Sequence, residues 1–422
     1  MDDRQCAEGV LLVVIQMKRW ARQWTMEELC AEMRELVSAC GGEVVGMVEV
    51  KLDRVEAGCF IGEGKLREIT GICGVLPVDT VIFSQDLKGS QQRNLEERLG
   101  KKVIDRTQLI LDIFARHART REAQMQVELA QLEYLLPRLV GKGVELSRLG
   151  GGIGTLGPGE TKLEVDRRRI GARIARLKKE LQRASVVRAL KRKKRKDRHI
   201  PAISLVGYTN AGKSTLLNRL TRAGQVTRDG MFTTLDSLSR QLVLPNHQQV
   251  ILSDTVGFMR QLPHHLIEAF KTTLEEVAEA DLLVRVLDVS RPNVRALHEA
   301  VDEVLKEIGA YDKPAIVVLN KIDRLDDRAW LEVLKDRFAE AVCVSAVTGE
   351  NIDVLLKRIE QKLSGLVVEI DVNVPIQRMD LVNLAHEAGE VLAVKYYEKQ
   401  VNIRAVVPAA LSARFYGANK ER

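Results

Sequence analysis

Gly207-Tyr208-Thr209-Asn210-Ala211-Gly212-Lys213-Ser214-Thr215 satisfies the pattern G-x-x-x-x-G-K-[ST] at every constrained position. It follows Ala202-Ile-Ser-Leu-Val206, a short apolar run of strand type, and leads into Leu216-Leu-Asn-Arg-Leu220, whose leucines fall at helical spacing. Strand, glycine turn and helix in that order make a phosphate cradle. The glycines let the backbone curl until successive N–H groups face one anion, and the helix turns its positive end to the same point. Lys213 is expected to reach the β- and γ-phosphate oxygens, and the Ser214 hydroxyl to ligate Mg²⁺. The plainer alternative is an ordinary glycine-containing strand-to-helix turn, and the four constrained positions with these flanks weigh against it.

Working outward, the next segments supply what such a loop needs. Phe232-Thr233-Thr234-Leu235-Asp236 lies where a switch threonine can close over Mg²⁺ and the γ-phosphate. Val250-Ile-Leu-Ser-Asp254-Thr255-Val256-Gly257 is an apolar strand ending in an Asp suited to the Mg²⁺ shell and a Gly whose N–H can bond the γ-phosphate. Ala315-Ile-Val-Val-Leu319 then runs into Asn320-Lys321-Ile322-Asp323, and Ala341-Val-Cys-Val-Ser345-Ala346 closes another strand. Asn320 and Asp323 have the spacing of a guanine reader: a carboxylate can accept both N1–H and the exocyclic amine of guanine, a donor pair that adenine lacks. Each segment alone is weak, and their order is the signal. After Gly257 comes Phe258, where many switch GTPases place a water-orienting Gln, and a phenyl ring cannot do that job.

Upstream, charge is unevenly spread. Residues 167–198 contain sixteen Lys or Arg against Glu180 and Asp197, a local charge of +14 in a chain whose total is +7. The rest of the chain is therefore net acidic, and the basic stretch is the footprint of a polyanion partner, nucleic acid first and an anionic membrane surface second. Aromatics are 4% of the chain, so phosphate contact and shape recognition are expected rather than stacking on single-stranded bases. Met125, Leu129, Leu132, Leu136 and Leu139 make one apolar seam, and Leu163, Ile170, Ile174, Leu177 and Leu181 another, which predicts two antiparallel helices with a kink or early stop at Pro137. Between them lies Leu149-Gly-Gly-Gly-Ile-Gly-Thr-Leu-Gly-Pro-Gly159, longer than a helix connection requires; its composition suits a functional loop or a disordered linker equally.

Residues 1 to about 116 alternate strand-like runs (10–15, 44–50, 80–83, 103–105) with helix-like segments (65–72, 90–99, and one opened by the capping box Thr25-Met-Glu-Glu28), which predicts a small parallel sheet. Gly62-Glu-Gly64-Lys65 lacks the spacing of a phosphate motif and reads as a turn before a helix, although a second nucleotide there, ATP driving RNA remodelling, is the alternative. At 422 residues, 45% hydrophobic and 29% charged, the chain has ample material for several cores. Its apolar runs stop far short of a membrane span, and the N-terminus has no secretory pattern, so a cytoplasmic location is expected. Six cysteines without C-x-x-C pairing read as reduced thiols. Residues 366–422 read as a compact α+β unit without a catalytic constellation.

GYTNAGKST, FTTLD, DTVGF and NKID, together with RTREAQMQVELAQLEYLLPRL and GPGETKLEVDRRRI, make the chain resemble the HflX family of translational GTPases over essentially its whole length. The resemblance implies an α/β fold in four parts: an N-terminal α/β domain (1–117), a two-helix arm with glycine-rich loop and basic linker (118–198), a P-loop GTPase domain (199–365) and a small α+β C-terminal domain (366–422). It also implies hydrolysis of GTP to GDP with Mg²⁺ on Ser214, Thr234 and Asp254, and charge stabilisation by Lys213, Thr234 and Gly257. The family usually carries Ala at the position of Thr233, with Thr234 as the matching Mg²⁺ ligand. The implied partner is the large (50S) ribosomal subunit, with the glycine-rich loop as a 23S rRNA contact, in a factor that splits or rescues stalled ribosomes. A monomer is expected.

Overall fold

In the computed structural model, Gly9–Met17 forms β1, and every one of its residues is buried. A run buried on both faces belongs in the middle of a parallel sheet. β1 pairs in parallel with β2 (Glu43–Leu52) on one side and with β3 (Thr80–Phe83) on the other, and β4 (Lys102–Ile104) lies beyond β3. The structure describes residues 8–18, 24–139, 162–197, 200–221, 238–246, 248–260, 271–325, 327, 329–338 and 340–418. The chain divides into two compact units: residues 1–184 with 228–236 and 261–271, and residues 185–227 with 237–260 and 272–422.

In the first unit the helices α1 (Met26–Ala39), α2 (Glu63–Val75), α3 (Gly89–Leu99) and α4 (Arg106–His117) accompany the four-stranded sheet. The Thr25 hydroxyl accepts from Glu28 N and the Glu28 carboxylate accepts from Thr25 N, so α1 opens with the predicted reciprocal cap. Gly62 occupies the N-cap of α2, the helix-entry turn expected from its spacing. Asp105, expected at the end of a strand, instead leaves β4 to cap α4, its carboxylate accepting from Gln108 N at 2.9 Å and Leu87 N at 3.0 Å. A short side chain with two acceptor oxygens satisfies helix-end donors better than it pairs in a sheet.

Two further helices, α5 (Arg121–Leu135) and α6 (Lys162–Asp197), pack through Leu129, Leu177 and Leu181, flanked by Met125, Leu132 and Ile174. Ion pairs Arg121–Glu180 and Arg173–Glu128 run in opposite sequence directions along the two helices, which makes the pair antiparallel, as the seams predict. The seam stops earlier than its spacing suggests. Because Pro137 has no N–H to continue the α-ladder, Leu136–Leu139 forms a 3₁₀ turn and Leu136 and Leu139 leave the heptad. Arg138 there donates to the Leu87 carbonyl and pairs with buried Asp105. The glycine-rich stretch at 149–159 lies outside the described residues.

The second unit contains a six-stranded sheet in the order β10-β9-β8-β5-β7-β6, from β5 (Ala202–Gly207), β6 (Leu238–Val243), β7 (Gln249–Asp254), β8 (Leu282–Asp288), β9 (Ala315–Asn320) and β10 (Val342–Cys343). Only β6 is antiparallel in it. The helices α7 (Lys213–Thr221), α8 (Lys271–Glu279), α9 (Val294–Glu307), α10 (Ala329–Arg337) and α11 (Ile352–Leu363) accompany it. Leu216, Leu217 and Leu220 of α7 join Leu205, Leu252 and Val284 in one core, so the helix after the glycine turn is held firmly on the sheet. The same unit carries a three-stranded antiparallel sheet of β11 (Val367–Pro375), β12 (Glu390–Tyr396) and β13 (Gln400–Pro408), with β13 central, and helices α12 (Met379–Ala388) and α13 (Ala409–Ala418). Phe415, Leu381 and the alternating Val401, Ile403, Ala405 and Val407 fill its separate core.

Candidate functional site

In an open α/β sheet, ligands bind beyond the carboxyl ends of the strands where the strand order reverses. β5 lies between β7 and β8, and its carboxyl end runs directly into the glycine turn. Gly212 sits at φ +92°, and a Cβ there would lie 2.3 Å from Asn320 Nδ2, so no side chain fits. Asn210 also has positive φ, at +62°, an angle asparagine tolerates. Lys213 starts α7 and is buried; its ammonium donates to the carbonyls of Gly207 at 3.1 Å and Tyr208 at 3.0 Å. Burial pushes its pKa down to about 8, Asp254 opposing the shift and the charge of Lys321 reinforcing it. A polyanion in the turn would offset the desolvation by Coulomb attraction and favour the charged form.

The Ser214 hydroxyl donates to Asp254 Oδ2 at 2.6 Å, bringing the first turn of α7 to the end of β7. Two hard oxygen donors, one a fully buried carboxylate, suit Mg²⁺, which binds through one or two protein oxygens plus substrate phosphates rather than a protein-only cage. Thr255 continues the strand with its hydroxyl on the Leu205 carbonyl at 2.7 Å, and Val256 is buried beside it. Next, Phe258 N donates to the Gly207 carbonyl at 3.0 Å and Thr209 N to the Phe258 carbonyl at 2.8 Å. The Phe258 ring is buried, 2% exposed, so the water-orienting position holds a core residue. Phe232, Thr233, Thr234, Leu235 and Asp236 lie outside the described residues, as does Gln261.

The residues with guanine-reader spacing are brought together from three loops. Asn320 at the end of β9 donates from Nδ2 to the Ala211 carbonyl at 2.9 Å and accepts on Oδ1 from Ala346 N at 3.1 Å. Its amide is thus a tie between loops. Asp323 Oδ1 accepts from the Ser345 hydroxyl at 2.6 Å, and Ser345 Oγ accepts in turn from Thr348 N, which fixes the carboxylate's orientation. Ile322 points into the core with Leu287 and Leu319, while Thr215 is half-buried on α7.

One member of this assembly is not picked out by motif spacing. Asp288, the last residue of β8, pairs through Oδ2 with Lys321 Nζ at 2.7 Å, and the same ammonium donates to the Asn210 carbonyl at 2.7 Å. Lys321 is thereby held between a strand end and the phosphate loop, at a backbone φ of +67°. The available signal is the parallel with Asp254: an acidic residue closing a buried strand of the same sheet.

A six-stranded, mostly parallel sheet with a lysine-bearing phosphate loop, a Ser–Asp oxygen pair and an Asn320–Asp323 base end defines a P-loop GTPase. Four family profiles cover the chain in order: "GTP-binding GTPase N-terminal" at 27–115, "GTP-binding GTPase Middle Region" at 117–195, "50S ribosome-binding GTPase" at 202–321 and "HflX C-terminal domain" at 333–401. GTPase HflX of Caldanaerobacter subterraneus subsp. tengcongensis is 46% identical over 388 residues, 92% of this chain and 89% of that protein. GTPase HflX of Escherichia coli K12 is 43% identical over 356 residues, 83% of each. Among solved structures, a GTP-binding protein from the archaeon Sulfolobus solfataricus in complex with GDP is 27% identical, covering 85% of this chain and 99% of that one, with a TM-score of 0.43. The chain belongs to the HflX family of GTPases: it binds guanine nucleotides and hydrolyses GTP.

Proposed function

We propose that the chain is a cytoplasmic, Mg²⁺-dependent GTPase that binds the 50S ribosomal subunit and couples its nucleotide state to the splitting or rescue of stalled ribosomes. The observation that carries the ribosomal part is the surface of α6. Arg167, Arg168, Arg169, Arg173 and Arg176 are all exposed on one helix; Arg169, Arg173 and Arg176 pair with Asp166, Glu128 and Glu180, yet residues 167–198 still carry a net +14, more than a mixed solvated face shows. The family profile described as 50S ribosome-binding supports the same partner. Among the described residues no helix is long and apolar enough to cross a membrane.

In this reading Lys213 and the turn amides hold the β- and γ-phosphates, Gly257 N–H bonds the γ-phosphate, and Asp323, oriented by Ser345, accepts from the guanine edge. Ser214 and Asp254, with Thr234, are the residues that would hold Mg²⁺, which supplies neutralisation of charge building between the β- and γ-phosphates. Water then attacks the γ-phosphorus in line, and the lysine and amides stabilise the charge that develops. Co-sedimentation with purified 30S, 50S and 70S particles in a GTP analogue, GDP or no nucleotide tests the partner. Pelleting with 50S favoured by the GTP analogue is expected; indifference to 50S, or binding to anionic liposomes instead, would refute it. Light scattering of 70S particles with GTP tests splitting.

A further inference from the structure

Beside the phosphate loop, residues 258–260 run parallel to residues 207–209. Phe258 N donates to the Gly207 carbonyl and Thr209 N to the Phe258 carbonyl, the two bonds of a parallel bridge. A continued parallel ladder would next place Arg260 N on the carbonyl of Thr209. The loop turns away at Asn210, where φ is +62°, and Arg260 N instead donates to the Tyr208 hydroxyl at 3.2 Å. Tyr208 is 3% exposed, so its ring is fixed by packing and its hydroxyl stands where the missing backbone acceptor would be. A buried main-chain N–H without an acceptor is costly, and the phenol removes that cost.

The place where this matters is Gly257, immediately before the bridge. A Cβ on Gly257 would lie 2.8 Å from Thr209 Cα and 3.1 Å from Lys213 Nζ, so this backbone already touches the loop and its lysine. Any slide of the following segment along the loop changes the distance between the Gly257 amide and the γ-phosphate that Lys213 holds. We propose that Tyr208 is a positioning residue for GTP hydrolysis: its hydroxyl fixes the register of residues 258–260 and thereby aims the Gly257 amide at the γ-phosphate. This gives the first variable residue of the phosphate loop a task directed at the γ-phosphate contact and distinct from holding the nucleotide. The segment's side chains are not needed for it, which agrees with Phe258 being buried.

The inference rests on the reading of Gly257 as a γ-phosphate contact, and the experiment separates the two. Tyr208→Phe keeps the ring and removes the hydroxyl that accepts from Arg260 N. In the full-length protein, single-turnover GTP hydrolysis should slow by roughly three- to tenfold, the worth of one hydrogen bond felt in the transition state. Equilibrium affinity for GDP, which has no γ-phosphate, should stay within about twofold, a split that a general loosening of the loop would not produce. Gly257→Ala, whose added Cβ would press on Thr209 and Lys213, should hydrolyse GTP far more slowly still and weaken GDP binding as well. Normal hydrolysis by Gly257→Ala would remove the underlying reading. A defective Gly257→Ala beside a Tyr208→Phe that hydrolyses normally, or that loses GDP and GTP affinity equally, would overturn the assignment of Tyr208 alone.

Discussion

Asn320 and Ala211, 109 residues apart, are joined by a 2.9 Å hydrogen bond from the Asn320 side-chain amide to the Ala211 carbonyl, and the other end of the same amide receives Ala346 N. One buried side chain thus locks the phosphate loop to the segment that orients Asp323.

In the proposed reading Asn320 ties loops and Asp323 meets the base, so their substitutions should differ in kind. Asn320→Ala leaves a buried carbonyl and a buried N–H without this partner, a penalty of about 1–3 kcal/mol for each. GDP and GTP affinity should fall together by roughly tenfold or more, with base preference unchanged, as measured by competition among guanine, xanthine and adenine nucleotides.

Asp323→Asn should instead change preference. Xanthine replaces the donor amine of guanine by an acceptor oxygen, which an amide NH₂ can satisfy and a carboxylate cannot. Competition binding should show xanthosine triphosphate gaining on GTP; an unchanged ratio would mean that Asp323 does not read the base.

If Lys213 holds the phosphates as proposed, nucleotide binding should be sensitive to alkali. Its pKa in the free protein is lowered to about 8, chiefly by burial, and bound phosphate favours the charged form. Binding therefore takes up a proton above that value: affinity should be level below it and fall as pH rises through it, by up to roughly tenfold per pH unit. GDP titrations between neutral pH and pH 9 measure this. Lys213→Arg, charged throughout that range, should abolish the slope even where it weakens binding.

How much of this was readable beforehand follows physical locality. The phosphate loop, the cap at Thr25 and the helix pair are set by spacings of a few residues, and the chain adopts them almost where the spacing puts them. Asp105 and Leu136 depart from expectation at element ends, where a capping carboxylate and a proline outweigh strand and heptad patterns. The Lys321–Asp288 pair and the Tyr208–Arg260 bond join segments brought together only by the sheet order, so no local spacing announces them.

If the proposed ribosome contact runs through the exposed arginines of α6, binding should be salt-sensitive. If several contact phosphates, affinity should fall by roughly tenfold or more over a few-fold rise in salt. Replacing Arg167, Arg168 and Arg169 by Gln should lower both the affinity and the slope of log affinity against log salt. A slope that does not change would place those side chains away from the RNA.

Phe258 is buried where a water-orienting side chain would otherwise stand, so the free protein should bind GTP well and cleave it slowly, the missing positioning coming from the bound ribosome. Partner-supplied groups accelerate such reactions by roughly 10³ to 10⁵ in well-studied cases. Single-turnover GTP hydrolysis with and without purified 50S subunits is the direct measurement. The account predicts slow turnover alone and a large acceleration on adding 50S; fast hydrolysis by the free protein, indifferent to 50S and abolished by Gln261→Ala, would contradict it.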